Sequence, residues 1–494
     1  MPKRIAIVDI GSNSARVVIF QRTSRYGFHL IAQKKAAVRV SEGSYSNGGY
    51  LQEEAINRTV DALKCFKRII QDYKARKTLI VATAAVRNAP NRQYFLKKVR
   101  EETKLNIKVI DGTKEAYYGA VAAKNLLPLN RNSITVDIGG GSTDIALIQN
   151  SKIIDTISID IGTIKIKELF FDKNLRVDEA SDFIKKEFNK IPQNFKVEQA
   201  VAIGGVLRAL SKSIIESSDY SFNKIHAFEY KVSEHINHID NILDASSNKR
   251  LNDLNIKESR YDTIKEGVLI FKILLESLDI DKVITSGVGI REGIFLHDML
   301  RGSNGNFPKE INPSIVSITD RLDMLELSYK KKITAAKKLY ALLKDEFDEK
   351  EKYLTHLIDA IKISNVGKTL TIYNEHKHAY YIASAELNWQ YRHKDMLLIA
   401  TILRSKGDKL IYKPLKKEHD KLLPSKKTIK WLGFIYTIID ILFSYSSTNR
   451  YSFACKESQL IIYSDVDLPL FQSEIEDLTL LKEFKIVVET TNNI

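Results

Sequence analysis

Residues 5–20 read IAIVDIGSNSARVVIF, and residues 133–148 read SITVDIGGGSTDIALI. Each stretch is a β-branched run, an Asp-Ile-Gly, a turn of small polar residues, and a second β-branched run. That is the pattern of two strands joined by a tight turn. Asp9 and Asp137 are equivalent, 137 − 9 = 128 residues apart. A period of that length is too long for a solenoid and predicts two related lobes.

Around these hairpins the first 300 residues alternate short apolar runs with helical stretches. Ile5–Val8, Val17–Phe20, Leu79–Ala82, Ile107–Ile110 and Ile134–Val136 read as strands, while Gln52–Lys74 and Gln93–Thr103 read as helices. The alternation predicts an α/β architecture. After residue 312 glycine becomes sparse and Lys-rich helical periodicity takes over, as in Arg321–Lys344 and Glu351–Ile363. Between them RGSNGNFPKEINP, at 301–313, holds two Gly and two Pro and reads as a linker. The expected division is lobe I over 1–125, with residues near 297–311 as its candidate completion, lobe II over 126–300, and a mostly helical domain over 312–494.

Composition narrows the function. The 494 residues are 44% hydrophobic and 28% charged, with 9 Pro, which suits packed cores rather than a disordered chain. A net charge of +15 attracts polyanions: nucleic acid, anionic membrane or a phosphate-rich small molecule. Arg404–Lys430 alone carries ten Lys/Arg against three Asp/Glu. Cys65 and Cys455 are too few and too far apart for a disulfide framework or a zinc cluster, and they fit a reducing cytosol. The apolar run at the N-terminus contains Asp9 and is no signal peptide. Trp431–Tyr445 is short for a membrane span, which needs about 20 apolar residues, so we expect a buried helix, no membrane partner and a cytoplasmic protein.

The two turns carry the chemistry. Backbone amides in such turns can point inward and hold a phosphate. Gly11, Ser12, Asn13 and Ser14 supply one candidate cradle; Gly139, Gly140, Gly141, Ser142 and Thr143 supply the other. Alone, either reads as a plain hairpin; together they suit a chain of phosphates lying between two lobes. Asp9, Asp137 and Asp144 would repel such a ligand unless a cation intervenes. Mg²⁺ takes one or two carboxylates together with waters and substrate oxygens, so these acids are the expected metal ligands. Two further glycine turns between a strand and a helix, Gly204-Gly205 and Ser286-Gly287, are candidate anion sites at helix N-termini.

These segments, in this order, resemble the exopolyphosphatase/guanosine-pentaphosphatase (Ppx/GppA) family. The carriers are DIGSNSAR (9–16), ATAAVRNAPN (82–91), DGTKEAYYG (111–119), DIGGGSTD (137–144), GGVLRAL (204–210), SRYDTIKEGVLI (259–270) and SGVGIREGIFL (286–296). The resemblance implies two actin-like (ribonuclease H-like) lobes with a cleft between them. It implies release of terminal orthophosphate from inorganic polyphosphate, or conversion of guanosine pentaphosphate to tetraphosphate. It matches Glu115 to the family's catalytic glutamate, which would accept a proton from the attacking water, and Arg87 to an arginine beside the phosphates. Arg208, Arg260 and Arg291, within the matching segments, join the phosphate-binding set.

The C-terminal region resembles the helical domain of long family members, which is related to HD-type phosphohydrolases. Ser364 and Asn365 stand where those relatives carry a His-acid pair, so no second metal centre is expected. His376, His378 and His393 read as structural or substrate-contacting, and His235 and His238 as exposed. The basic domain could extend a positive channel, and a homodimer is left open. The rival readings are a phosphotransferase of the same fold, a non-catalytic nucleotide sensor, and, ranked last because no recognition motif is present, a nucleic-acid binder.

Overall fold

The computed structural model describes residues 3–173, 177–322, 329–344, 353–405, 417–445, 450–456, 459–467, 469–476, 478 and 485–491. Two compact units are present, Met1–Pro313 and Ser314–Ile494.

In the first unit, β-branched runs become strands because one or both faces can be buried. β1 (Lys3–Ile10) and β2 (Ala15–Arg22) form the first hairpin, followed by β3 (Phe28–Ala36), β4 (Lys77–Ala82) and β5 (Lys108–Val109). The sheet order is β3-β2-β1-β4-β5, with β4 parallel to β1. The second sheet starts from the second hairpin, β6 (Ser133–Ile138) and β7 (Thr143–Gln149). It adds β8 (Lys152–Ile159), β9 (Gln199–Ile203), β10 (Glu229–Lys231) and β11 (Lys282–Thr285). Its order is β10-β11-β9-β6-β7-β8, with β9 parallel to β6. Without β10 this repeats the first sheet strand for strand, so the 128-residue sequence repeat is a repeat of topology.

Helices α1 (Glu53–Asp72), α2 (Ala84–Arg87), α3 (Arg92–Thr103) and α4 (Gly112–Leu126) follow in the first half. The second half has α5 (Thr163–Ile166), running into a π-helical turn at Lys167–Phe171, then α6 (Val177–Phe188), α7 (Gly205–Ser217), α8 (Val232–Leu243), α9 (Asn248–Asp253), α10 (Ile264–Leu278) and α11 (Ile290–Met299). Two of these helices change sides. α4 packs on the second sheet, against β6, β7 and β8, and α11 packs on α4 and on β1 of the first. Phe295 of α11 stacks on Phe20 with ring centroids 4.4 Å apart and lies 5.1 Å from Phe28. Each sheet is thus covered by a helix from the other half. The run Gly119–Ala123 gives α4 the small face that lets it lie between a sheet and another helix.

The second unit is rich in helices and also carries a sheet that the sequence reading did not expect. Its helices include Tyr329–Leu342, Leu354–Lys362, Glu375–Glu386, His393–Arg404 and Lys426–Tyr445. It also holds a three-stranded sheet of β12 (Tyr451–Lys456), β13 (Gln459–Ser464) and β14 (Lys485–Thr490). The helix containing Trp431, Phe434 and Leu442 buries all three, and among the described residues no helix is long and apolar enough to cross a membrane. Lys406, Lys409, Lys413 and Lys416 of the basic stretch, and residues 323–328 of the expected helix over Arg321–Lys344, lie outside the described residues.

Candidate active site

Directly paired residues on antiparallel strands project to one face of a sheet. In the first sheet Asp9 pairs with Arg16, and Arg16 pairs with Lys35. In the second, Asp137 pairs with Asp144, and Asp144 pairs with Ser158. Asp9, Arg16, Lys35 and Asp137 all line a cleft of about 280 Å³ between the two sheets.

The turns close the two ends of these rows and face each other. In the first, the Gly11 amide donates to the Ser14 carbonyl (3.1 Å), and the carbonyls of Ser12 and Asn13 accept from the amides of Ser41 and Arg39. In the second, the Gly139 amide donates to the Ser142 carbonyl (2.8 Å), and the Gly140 carbonyl accepts from the amides of Ile164 and Lys165. Carbonyls are therefore tied outward, while Gly11–Ser14 and Gly139–Ser142 line the cleft. A Cβ on Gly140 would lie 2.7 Å from Ser12 Cβ and 2.9 Å from Ile164 Cδ1, so glycine is what allows the turns to approach.

Glu115 sits in the first turn of α4, which Asp111 caps by accepting from the Lys114 amide at 2.7 Å. Its side chain is 16% exposed and accepts from Arg87 Nη1 at 3.3 Å; the same nitrogen donates to the Ile110 carbonyl at 3.1 Å. Burial, and then the charges of Asp144 and Asp137, push the Glu115 carboxyl well above the usual carboxylate range. Burial raises Asp137 to about 6 against the pull of Arg208. Asp144 is pushed to about 7, again by burial, although the hydroxyls of Ser158 and Ser142 donate to it. Asp9 is raised by burial, opposed by Arg291, whose Nη1 is 3.5 Å away. Four desolvated acids thus hold protons unusually tightly.

Cations line the same space. Arg208 reaches it with its guanidinium fixed by the carbonyls of Ser286 (2.7 Å) and Val288 (3.1 Å). Arg260 lies so close to α7 that a Cβ on Gly205 would be 2.3 Å from its Nη2. Arg16 is depressed to about 10 by burial and by the neighbouring charges of Arg291 and Arg208. Gly204-Gly205 at the start of α7, and Gly289–Arg291 at the start of α11, bring two helix N-termini to the wall. Gly204 has φ +91, and a Cβ there would lie 2.5 Å from Asp137 Oδ1.

Most of the expected residues converge on this cleft, with exceptions: Arg87, expected beside the phosphates, is not on the wall and meets Glu115 and the Ile110 carbonyl instead. Thr143 is fully buried and spends its hydroxyl on the Ile161 carbonyl. Asp144 is 2% exposed and stands behind Ser142 rather than on the wall. Ser286 and Gly287 are not on the wall either, because α11 starts three residues later, at Ile290. Ser286 offers its carbonyl to Arg208, and the Gly287 amide donates to His226 Nδ1 at 3.0 Å. His235 and His238, expected exposed, are half-buried, and His238 Nε2 is 2.6 Å from Ser213 Oγ. His393 is buried. Arg16, Lys35, Thr83, Thr163 and Thr263 also line the cleft, and sequence reasoning passed over them. Position 16 was recoverable, since 16 + 128 = 144 makes Arg16 the counterpart of Asp144.

A divalent cation is compatible with this donor set. Among the described residues no three His, Cys, Asp or Glu gather as a metal cage. Mg²⁺ needs only one or two carboxylates when phosphate oxygens and waters complete its shell. Burial disfavours the charged forms of Asp9, Asp137 and Asp144, and a cation beside them would favour those charged forms again.

Comparison with known proteins follows the same geometry. A family model described as the Ppx/GppA phosphatase family matches residues 18–302. The chain is 30% identical over 299 residues to the bifunctional 3-dehydroquinate synthase/phosphatase of Fusobacterium nucleatum, covering 57% of this chain but only 44% of that protein. It is 25% identical over 425 residues to the guanosine-5'-triphosphate,3'-diphosphate pyrophosphatase of Photobacterium profundum, covering 83% of this chain and 81% of the relative. Among solved structures, the Aquifex aeolicus Ppx/GppA family member superposes with a TM-score of 0.53 at 27% identity, over 61% of this chain and 99% of its own.

Proposed function

The chain belongs to the Ppx/GppA phosphatase family, and we propose that it is a phosphohydrolase removing the terminal phosphoryl group of guanosine pentaphosphate, of inorganic polyphosphate, or of both. The observation that carries this reading is Glu115, a carboxylate with raised proton affinity, set in a cleft between two facing phosphate-sized turns. Amides of Ser12–Ser14 and Gly140–Ser142 hold the phosphates. Arg208, Arg260 and Arg291 offset charge that spreads over the transferring group. Water attacks the phosphorus in line with the leaving oxygen, and Glu115 takes a proton from that water as the P–O bond breaks. Arg87 orients Glu115 through the 3.3 Å contact, and its charge opposes the rise in the carboxyl's proton affinity.

Asp9 and Asp137, which line the cleft, would hold Mg²⁺ or another divalent cation, with Asp144 behind Ser142 acting on it through its charge, and the ion would neutralise the repulsion between these acids and the substrate phosphates. The nucleotide reading draws on the Photobacterium relative, which matches over most of both chains. We assign no second hydrolytic site to the C-terminal unit: if it is HD-like, Ser364 and Asn365 replace the expected His-acid pair.

The test is orthophosphate release by the full chain from each substrate, with and without Mg²⁺ and with no acceptor alcohol present. Release that needs Mg²⁺ but no acceptor supports hydrolysis. Phosphate transfer that appears only when an acceptor is added would replace this reading with a phosphotransferase.

A further inference from the structure

Arg208 owes its aim to a residue that stands outside the cleft. Its Nε and Nη2 donate to the carbonyls of Ser286 and Val288, at 2.7 and 3.1 Å. A guanidinium is planar, so two such bonds set the direction of its remaining N–H groups. The Ser286 carbonyl belongs to the same peptide unit as the Gly287 amide. A trans peptide is planar, and its C=O and N–H point in opposite directions. Whatever holds the Gly287 N–H therefore decides where the Ser286 oxygen points. His226 holds it, accepting from the Gly287 amide through Nδ1 at 3.0 Å. His226 is 7% exposed and is not on the cleft wall.

This contact fixes the state of the ring. A backbone N–H can only donate, so Nδ1 carries no hydrogen and the neutral ring keeps its hydrogen on Nε2. Nε2 in turn donates to the Leu126 carbonyl at 3.1 Å, at the last residue of α4, where carbonyls lack partners within the helix. The surrounding backbone is shaped to the ring. A Cβ on Gly287 would lie 2.9 Å from His226 Cβ, so only glycine lets the two approach. Ala227 has a φ of 67°, a left-handed conformation uncommon for a residue with a Cβ. Its amide donates to the Thr285 carbonyl at 2.9 Å, and the Thr285 amide donates to the Phe228 carbonyl at 2.8 Å. The turn that carries His226 is thus clamped to the end of β11, one residue before Ser286.

Resting on the reading of Arg208 as a phosphate ligand, we propose that His226 is a positioning residue for phosphate binding. It does not touch the substrate. It holds the Ser286–Gly287 peptide so that the Ser286 carbonyl turns the Arg208 guanidinium toward the phosphates. The Leu126 contact, by contrast, only caps α4.

The experiment uses the full chain carrying Glu115→Gln, to prevent turnover, and measures tripolyphosphate binding by calorimetry in Mg²⁺. Asparagine can place its amide oxygen where Nδ1 lies, and glutamine can place its amide nitrogen where Nε2 lies. His226→Asn keeps the Gly287 bond and should bind within about threefold of the parent, whereas His226→Gln loses it and should bind about tenfold more weakly, the scale of a misaligned charge-assisted bond. In an Arg208→Ala chain, itself weakened, adding His226→Gln should change binding by less than about twofold, because the two residues act through one contact. The positioning role is overturned if His226→Gln binds like the parent, if the Asn and Gln variants weaken equally, or if the Gln effect persists in Arg208→Ala. It is also overturned if ¹⁵N NMR of the histidine-labelled parent places the hydrogen on His226 Nδ1, a measurement that needs no variant to fold. Arg208→Ala binding as tightly as the parent would overturn Arg208 as a phosphate ligand and the role of His226 with it. Failure of the parent to bind would overturn the phosphate cleft itself.

Discussion

Replacing Asp137 by Asn should stabilise the metal-free protein, and the gain should grow with pH. Burial lifts the Asp137 carboxyl from 3.8 to about 6 in the folded state. The folded protein therefore binds this proton more tightly than the unfolded chain does. The stability it contributes is complete below pH 3.8 and is lost as pH rises through 6. Two pKa units correspond to about 3 kcal/mol. About half of that loss has occurred by pH 5, leaving about 1.4 kcal/mol to be lost between pH 5 and pH 8. Asn keeps the shape and cannot ionise, so the variant escapes the loss. The assay is urea unfolding in EDTA, followed by circular dichroism, for wild type and variant at pH 5 and pH 8. The advantage of Asp137→Asn over wild type should rise by about 1.4 kcal/mol across that interval. An advantage that stays constant or shrinks would refute the claim that Asp137 is a desolvated acid awaiting a cation.

Three further outcomes are expected. Asp144→Asn, by removing a charge behind Ser142, should shift the Mg²⁺ titration of phosphate release to higher concentration while leaving the protein folded; an unmoved curve would show that the Asp144 charge does not act on the ion. Arg16→Ala should weaken substrate binding by roughly tenfold or more, the scale of a lost charge-assisted contact of about 1.5–3 kcal/mol, with a KM measurement as the check. Gly140→Ala should cost about 1–3 kcal/mol through overpacking, because its Cβ would meet Ser12 Cβ at 2.7 Å; a thermal melt reads this.

Both hairpins and the phosphate-cradle turns were legible because a tight turn between β-branched runs is a local signal. Which side of a turn a residue faces was legible only in part. Arg16 follows from the repeat, yet Lys35 joins the row only through β2–β3 pairing across 19 residues of chain. Ser286-Gly287 looked like the start of a helix, since nothing local reveals that Gly289 is the N-terminal cap, held by the Glu292 carboxylate at 2.8 Å. The exchange of α4 and α11 between sheets is invisible to periodicity, which shows that a helix has an apolar face but not what it covers. Strands β12 and β13, YSFACK and QLIIYS, did carry aromatic and β-branched residues, but the Lys-rich helical pattern before them masked the change of period.

The central claim is that Glu115 accepts the proton of the attacking water, and Glu115→Gln tests it most directly. Orthophosphate release and substrate affinity should be measured together, on wild type and variant, at saturating Mg²⁺. The account predicts a kcat lower by about 10²–10⁴-fold with affinity within a few-fold of wild type. A variant that releases phosphate at near wild-type rate would contradict it.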